Sequence, residues 1–210
     1  MNLKVFVWNA QVFGDHNFIR VTREYLQDHH HDICVFVEPR VSHFKADRII
    51  AALAFPNSFR VEANGFSGGI WLCWFDHVII DILSCHFQFI HCRISDGFDS
   101  FLTTFVYASP QSRQRNELWV HLRALASSMT EPWSVIGDFN ATLLHQDRQG
   151  CSSASPDSAF QHMVFDCDLH DLDYFGPAYT WYRGNYSVRL DRCFGNSAWF
   201  EKFSASALHV

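Results

Sequence analysis

A chain of 210 residues with 48% hydrophobic and 18% charged residues carries enough apolar material for one folded domain, and that argues against a disordered chain. Lys and Arg number 16 against 22 Asp and Glu, a formal net charge of −6. That balance argues against a surface built all round to hold nucleic acid, while leaving room for a divalent cation that offsets carboxylates locally.

The first predicted element is a β-rich run, Leu3 to Trp8, that stops at Asn9; Met1-Asn2-Leu3-Lys4 shows no secretion signal before it. A turn follows at Gly14-Asp15, then a helix from Phe18 to about His29 with Phe18, Ile19, Val21, Tyr25 and Leu26 on its apolar stripe. Asp32 to Val37 reads as a buried strand ending at Glu38-Pro39. Ser42 is placed to cap a helix whose stripe is Ala46, Ile49, Ile50 and Leu53. Ile70–Phe75 and Val78–Leu83 are two strands around Asp76-His77, and the first of these is strand-sized, too short to cross a membrane. His86–Ile94 and Phe101–Tyr107 are expected as two further strands joined through Ser95-Asp96-Gly97.

A helix over Asn116–Ala126 carries Leu118, Leu122 and Leu125, and Trp133–Ile136 is a strand running into Gly137-Asp138-Phe139-Asn140. Ser155-Pro156-Asp157 has the chemistry of a helix start, with serine as the cap, proline at the first position and an acid in the first turn. That helix presents Phe160, Met163 and Val164. Tyr179–Arg183 and Val188–Cys193 complete the pattern. The seven cysteines (34, 73, 85, 92, 151, 167 and 193) form no CxxC pair and read as reduced intracellular thiols. With no repeat and no linker, residues 1–210 read as a single mixed α/β domain. Frequent hairpins favour packed mixed sheets over a purely parallel one.

The polar residues at the strand ends carry the chemistry. Asn9, Glu38, Tyr107, Asp138, Asn140 and Asp191 all stand at or just beyond the end of an apolar run, where side chains can converge at a sheet edge. Carboxylates, amides and a phenol make an oxygen-rich set that suits Mg²⁺ or Mn²⁺ rather than zinc. His29-His30-His31 is read as a solvated helix end, because consecutive imidazoles point different ways. His86 and His91, of opposite parity on one expected strand, cannot share a ligand sphere.

The ensemble Val7-Trp8-Asn9, Val37-Glu38-Pro39-Arg40, Ser67-Gly68-Gly69-Ile70, Phe105-Val106-Tyr107, Gly137-Asp138-Phe139-Asn140, Tyr179-Thr180-Trp181 and Arg189-Leu190-Asp191-Arg192 resembles the endonuclease/exonuclease/phosphatase superfamily. Within it the chain is most similar to the apurinic-type endonuclease domain of plant LINE-type (non-LTR) retrotransposons. The resemblance implies a four-layer α/β/β/α sandwich of two packed mixed sheets, as in apurinic endonucleases and DNase-like enzymes. It implies Mg²⁺- or Mn²⁺-dependent hydrolysis of a DNA phosphodiester, a reverse-transcriptase domain as partner in a longer polyprotein, and a nuclear, membrane-free setting. By the same resemblance Glu38 is the metal-binding glutamate, with Asn9 beside it near metal and phosphate. Asp138 orients or deprotonates the attacking water, Asn140 contacts the phosphate, Tyr107 lies near the phosphate or leaving group, and Asp191 orients a catalytic histidine. Trp181 is placed near a DNA-facing loop. Arg113, Arg115, Arg148 and Arg183, expected in loops, are candidates for phosphate contacts.

Two departures bear on activity. Asn9 is followed by Ala10-Gln11-Val12-Phe13 where the family has a glycine-rich turn with an arginine. The family's closing Ser-Asp-His strand is not found, and His209 has no acid before it. The expectation is a domain lacking that strand, nearly inactive and marginally soluble. A second reading is therefore a catalytically inactive remnant that serves at most as a weak nucleic-acid or protein interaction module. A third, a phosphomonoesterase of inositol phosphates, is disfavoured by Tyr107, where those relatives tend to carry histidine. Asp191 between Arg189 and Arg192 also fits a local ion pair of little energetic weight.

Overall fold

Strand β1 (Val5–Asn9) lies parallel to β2 (Ile33–Val37), with Val5 opposite Ile33 and Asn9 opposite Val37. The structure, a computed structural model, describes residues 3–9, 16–63, 68–150 and 155–210. The turn expected at Gly14-Asp15, the Ala10–Phe13 departure, Ser67 and Cys151 lie outside the described residues. The chain divides into two compact units, Met1–Phe101 and Leu102–Val210.

In the first unit, helix α1 (His16–His29) joins β1 to β2, and α2 (His43–Leu53) follows β2. Next come β3 (Asn57–Val61), β4 (Ile70–Trp74), β5 (Ile79–His86) and β6 (Phe89–Ser95). The sheet order β1-β2-β4-β3 combines one parallel and two antiparallel pairings. All five positions of β2 are buried, so it reads as a continuous apolar run, not as an alternation. Ala46, Ile50 and Leu53 of α2 pack with Cys34, Phe36, Trp71 and Cys73. Ser42 stands at the start of α2 as expected, yet its side chain makes no capping hydrogen bond.

Sequence reading missed β3 altogether. It is an edge strand with only Phe59 and Val61 to signal it, and Arg60 ties it outward to Asp47 and Glu62. The strand expected to begin at His86 in fact begins at Phe89. His86 ends β5 and pairs with Phe89 across a turn at Phe87-Gln88, which lacks the Gly or Asn that marks a tight hairpin in sequence. His86 and His91 therefore belong to different strands, and their parity on one strand has no bearing.

The boundary falls within β7 (Ser100–Tyr107), and the second unit continues with α3 (Ser112–Ala126) and β8 (Trp133–Asp138). A 3₁₀ turn (His145–Asp147) leads to β9 (Arg148–Gln149), α4 (Ser158–Asp166), β10 (His170–Asp171) and β11 (Tyr174–Phe175). Strands β12 (Trp181–Arg183), β13 (Tyr186–Val188) and β14 (Asp191–Gly195), helix α5 (Ser197–Lys202) and β15 (Leu208–His209) complete the chain. β7 and β8 are parallel, while β14 runs antiparallel to β8 and to β10, so this sheet is mixed as well. β9, β13 and β12 form a small antiparallel sheet.

The apolar face of the second unit is an aromatic stack. Trp119 of α3 lies 5.0 Å from Phe160 of α4, and Phe139 lies 5.1 Å from Phe160 and 5.2 Å from Phe194 of β14, ring centre to ring centre. Such pairs add roughly 0.5–1.5 kcal/mol each beyond area burial. Gly137 sets how closely β8 approaches β7. A Cβ built there would sit 2.0 Å from the Val106 carbonyl oxygen, and its φ of 145° is one that side chains rarely adopt.

Three elements differ from the sequence expectation. Helix α3 begins at Ser112, not Asn116. The cap of α4 is Asp157, whose carboxylate accepts from the Phe160 N–H, not Ser155. The strand read as Val188–Cys193 is two, since β13 ends at Val188 and β14 starts at Asp191. Arg189 and Leu190 lie between them, where Leu190 N–H and Asp191 N–H both donate to the Thr180 hydroxyl oxygen, at 3.0 and 3.1 Å.

Candidate active site

Period-two alternation at the end of β8 puts neighbours to opposite uses. Phe139 is fully buried in the aromatic stack, while Asp138 and Asn140 flank it. Asp138 is the register partner of Tyr107 on one side and of Asp191 on the other. Directly paired residues of adjacent strands share a face, so the phenol and the two carboxylates form a row across β7, β8 and β14. Both Tyr107 and Asp138 are buried.

Asn140 completes the cluster. Its backbone N–H donates to Asp138 Oδ1 at 2.8 Å, and its Nδ2 donates to the Ala108 carbonyl at 2.8 Å. Ala108 N–H donates in turn to the Asp138 carbonyl at 2.8 Å. Asn140 has a φ of 44°, the left-handed conformation that asparagine tolerates best after glycine. Burial pushes the Asp191 carboxyl above its ordinary pKa, against a hydrogen bond with Thr180 that favours the charged form. Nothing in the sequence around Thr180 signals this role.

The flanking arginines do not pair with Asp191. Arg192, fully buried, pairs with Asp147 and with Asp171, and Arg189 pairs with Asp171 at 3.2 Å. Asp147 also accepts from the N–H groups of Leu143 and Leu144, at 2.8 and 2.7 Å. Burial raises the Asp171 carboxyl above its usual range, against the pull of Arg192 and Arg189. The expected local ion pair is thus replaced by a network in which Arg192 ties β14 to the 3₁₀ turn.

In the first unit, Asn9 ends β1 opposite Val37, which puts it one register step from Glu38. Glu38 is 6% exposed, with a φ of 55° that a glutamate seldom adopts, and its N–H donates to the Gly69 carbonyl at 3.1 Å. Strain of this kind costs on the order of 1–3 kcal/mol and gathers at functional positions. The Arg40 guanidinium holds Glu38 Oε1 through Nε at 3.1 Å and through an ion pair at 2.5 Å. Among the described residues no group of three or more His, Cys, Asp or Glu could hold a metal. A buried carboxylate, with an amide one register step along the neighbouring strand, nevertheless offers oxygen donors of the kind a hard cation such as Mg²⁺ takes while keeping several of its waters.

The remaining candidates lie on other elements of the second unit. Trp181 and Arg183 lie on β12, and with Gly150, Gly184, Asn185 and Tyr186 they line a surface groove of about 660 Å³. Arg113 is exposed on the first turn of α3. Arg115 is not in a loop at all; it is buried on α3 and bonded inside the protein. Arg148, on β9, donates to the Thr142 hydroxyl at 3.0 Å. His209 stacks on Phe175 at 5.2 Å, on a strand paired with β11.

Solved structures share this fold. A 3′-5′ exonuclease (NExo) from Neisseria meningitidis is 20% identical with a TM-score of 0.66, covering 93% of this chain and 88% of its own. The endonuclease domain of TRAS1, a telomere-specific non-LTR retrotransposon, is 14% identical with a TM-score of 0.66, covering 91% and 83%. An AP endonuclease from Archaeoglobus fulgidus is 13% identical with a TM-score of 0.67, covering 93% and 87%. The fold class is therefore the apurinic-endonuclease-like α/β sandwich that the sequence resemblance implied. No curated protein matches the chain. The family profile described as Endonuclease/Exonuclease/phosphatase family matches residues 6–207, nearly the whole length, and the chain belongs to that family.

Proposed function

We propose that the protein is a divalent-metal-dependent phosphodiester hydrolase that nicks DNA, of the kind carried by non-LTR retrotransposons. The observation that carries this reading is the row of Tyr107, Asp138 and Asp191 on three adjacent strands, with Asn140 bonded to Asp138. A fixed carboxylate within a dry, hydrogen-bonded frame is suited to orient or deprotonate an attacking water. The Asn140 amide gives one hydrogen to Ala108, and its second can meet a developing charge on a phosphate oxygen. Glu38, with Asn9, would hold the ion, which supplies charge neutralisation at the phosphoryl group when bound. Mg²⁺ and Mn²⁺ both match these oxygen donors.

Trp181, Tyr186 and Arg183 around the β12–β13 groove offer rings and a guanidinium to a nucleic acid. The likeness to a retrotransposon endonuclease domain supports a nucleic acid as the substrate, and we take it to be DNA. A reverse-transcriptase domain in the same polyprotein and a nuclear site of action belong to the same proposal.

Plasmid nicking in Mg²⁺, with EDTA as control, tests it. The wild-type chain should convert supercoiled to open-circular DNA only with metal, and Asp138→Asn should lower that rate by ~10²–10⁴. Metal-dependent nicking that survives Asp138→Asn undiminished would sink the assignment.

A further inference from the structure

Helix α3 buries one stripe, Arg115, Leu118, Trp119 and Leu122, spaced as a core-facing stripe should be. Its first member is a guanidinium where packing alone would ask for a leucine. Withdrawing that charge from water is costly unless hydrogen bonds and a counter-charge offset it. Here both are present. Nη1 donates to the carbonyls of Ser109 and Pro110 at 3.0 and 3.1 Å, and Nη2 donates to Asp157 Oδ2 at 2.9 Å.

These partners are not scattered. Ser109 and Pro110 directly follow Tyr107 and Ala108, so three successive carbonyls after the phenol are held by side chains: Ala108 by Asn140, the next two by Arg115. Asp157 caps α4 with its other carboxylate oxygen, and its N–H donates to the Thr142 carbonyl at 2.9 Å. Thr142 lies two residues beyond Asn140. The loop after β7 and the loop after β8 are therefore tied together twice. Asn140 makes the tie at the row of site residues, and the Arg115–Asp157–Thr142 chain makes it behind.

We propose that Arg115 is a positioning residue for the Tyr107–Asp138–Asn140 cluster, with its planar fork setting the course of the segment that leaves Tyr107 and Asp157 acting as its counter-ion and second anchor. The inference rests on the nuclease reading above for its catalytic consequence and on hydrogen bonding alone for its structural one. A lysine cannot reproduce the fork, which engages two carbonyls and a carboxylate in fixed directions.

The test uses the full chain with Arg115→Met, Arg115→Lys and Asp157→Asn, compared at a temperature where thermal melts show each folded. Two quantities are read: plasmid nicking in Mg²⁺ over a range of DNA concentrations, and amide hydrogen exchange at Ala108. Arg115→Met is expected to lower the maximal nicking rate about 10- to 100-fold, the scale of a small misplacement of reacting groups, with half-saturating DNA unchanged. Exchange at Ala108 should quicken about 10-fold or more, while amides of β1 and β2 stay as they were. Arg115→Lys and Asp157→Asn should fall between, and they carry the test if Arg115→Met does not fold.

A nicking rate that falls only in step with the folded fraction would show a structural ion pair and overturn the proposal. So would unchanged exchange at Ala108. If the wild type itself fails to nick, the nuclease reading falls, and the exchange measurement still decides whether Arg115 fixes the segment.

Discussion

In the second unit, Tyr107, Asp138 and Asp191 stand on three strands whose register is fixed by backbone hydrogen bonds, and each loop behind them is tied by a buried charge. In the first unit, Glu38 stands alone at a left-handed strand end with one arginine upon it. The first arrangement is paid for in desolvation and gains rigidity. The second stores backbone strain and leaves its carboxylate with a single exchangeable partner. A water-orienting group needs fixed geometry, whereas a metal ligand must release what it holds when the ion arrives, so the contrast matches the roles proposed for each.

The largest effect should come from the buried network. Arg192→Met leaves Asp147, buried and accepting from two N–H groups, without its cation, and breaking one side of such a pair costs about 3–5 kcal/mol. Chemical denaturation should show this loss. A change within about 0.5 kcal/mol would mean that the network adds nothing to the rigidity argued for the second unit.

The first unit should respond in affinity instead. Glu38→Gln is expected to weaken Mn²⁺ binding about 10-fold or more in calorimetric titration, because the charged donor of the Glu38–Asn9 pair is lost. Arg40→Gln should have the opposite sign, tightening binding about two- to fivefold, the worth of a half-exposed ion pair removed from competition. Unchanged affinity in both variants would place the ion elsewhere and end the comparison.

The smallest effect separates function from stability at Asp191. Burial raises its folded pKa above the ordinary carboxylate value of ~3.9. The folded state thus holds this proton more tightly than the unfolded one, so the contribution is fully present below ~3.9 and is lost as pH rises through the folded value. Above that range, burying this carboxyl opposes folding, because the unfolded chain gives up the proton more readily than the folded one. Asp191→Asn should therefore melt slightly higher than wild type at pH 7, with the gain vanishing near pH 3. A gain that instead grew toward acid pH would contradict the sign.

The strand ends were legible from sequence because they are marked. A run such as Ile33–Val37 or Trp133–Ile136 stops near a polar residue, and Glu38 and Asp138 do stand at those ends in the fold. The register that puts Tyr107 and Asp191 on either side of Asp138 was not legible, since pairing between distant strands leaves no local trace. Arg115 was misread for a related reason. An arginine near a helix start looks solvated until the carbonyls and the carboxylate that receive it are brought there by the fold. Edge strand β3 and the Phe87-Gln88 turn escaped because their residues lack the apolar run and the turn chemistry that sequence patterns rely on.

Gly137 has a bearing on how this protein could change over generations. Its missing side chain makes room for the Val106 carbonyl, so any replacement pushes β8 from β7 and disturbs the pairing on which the row of polar residues depends. Asp138, one codon later, can become asparagine with little harm to the sheet and great harm to the proposed chemistry. A library selected only for folding should therefore fix glycine at 137 and drift at 138. A library selected for nicking should hold both. Two consecutive codons thus record whether a lineage has been kept for its shape or for its reaction.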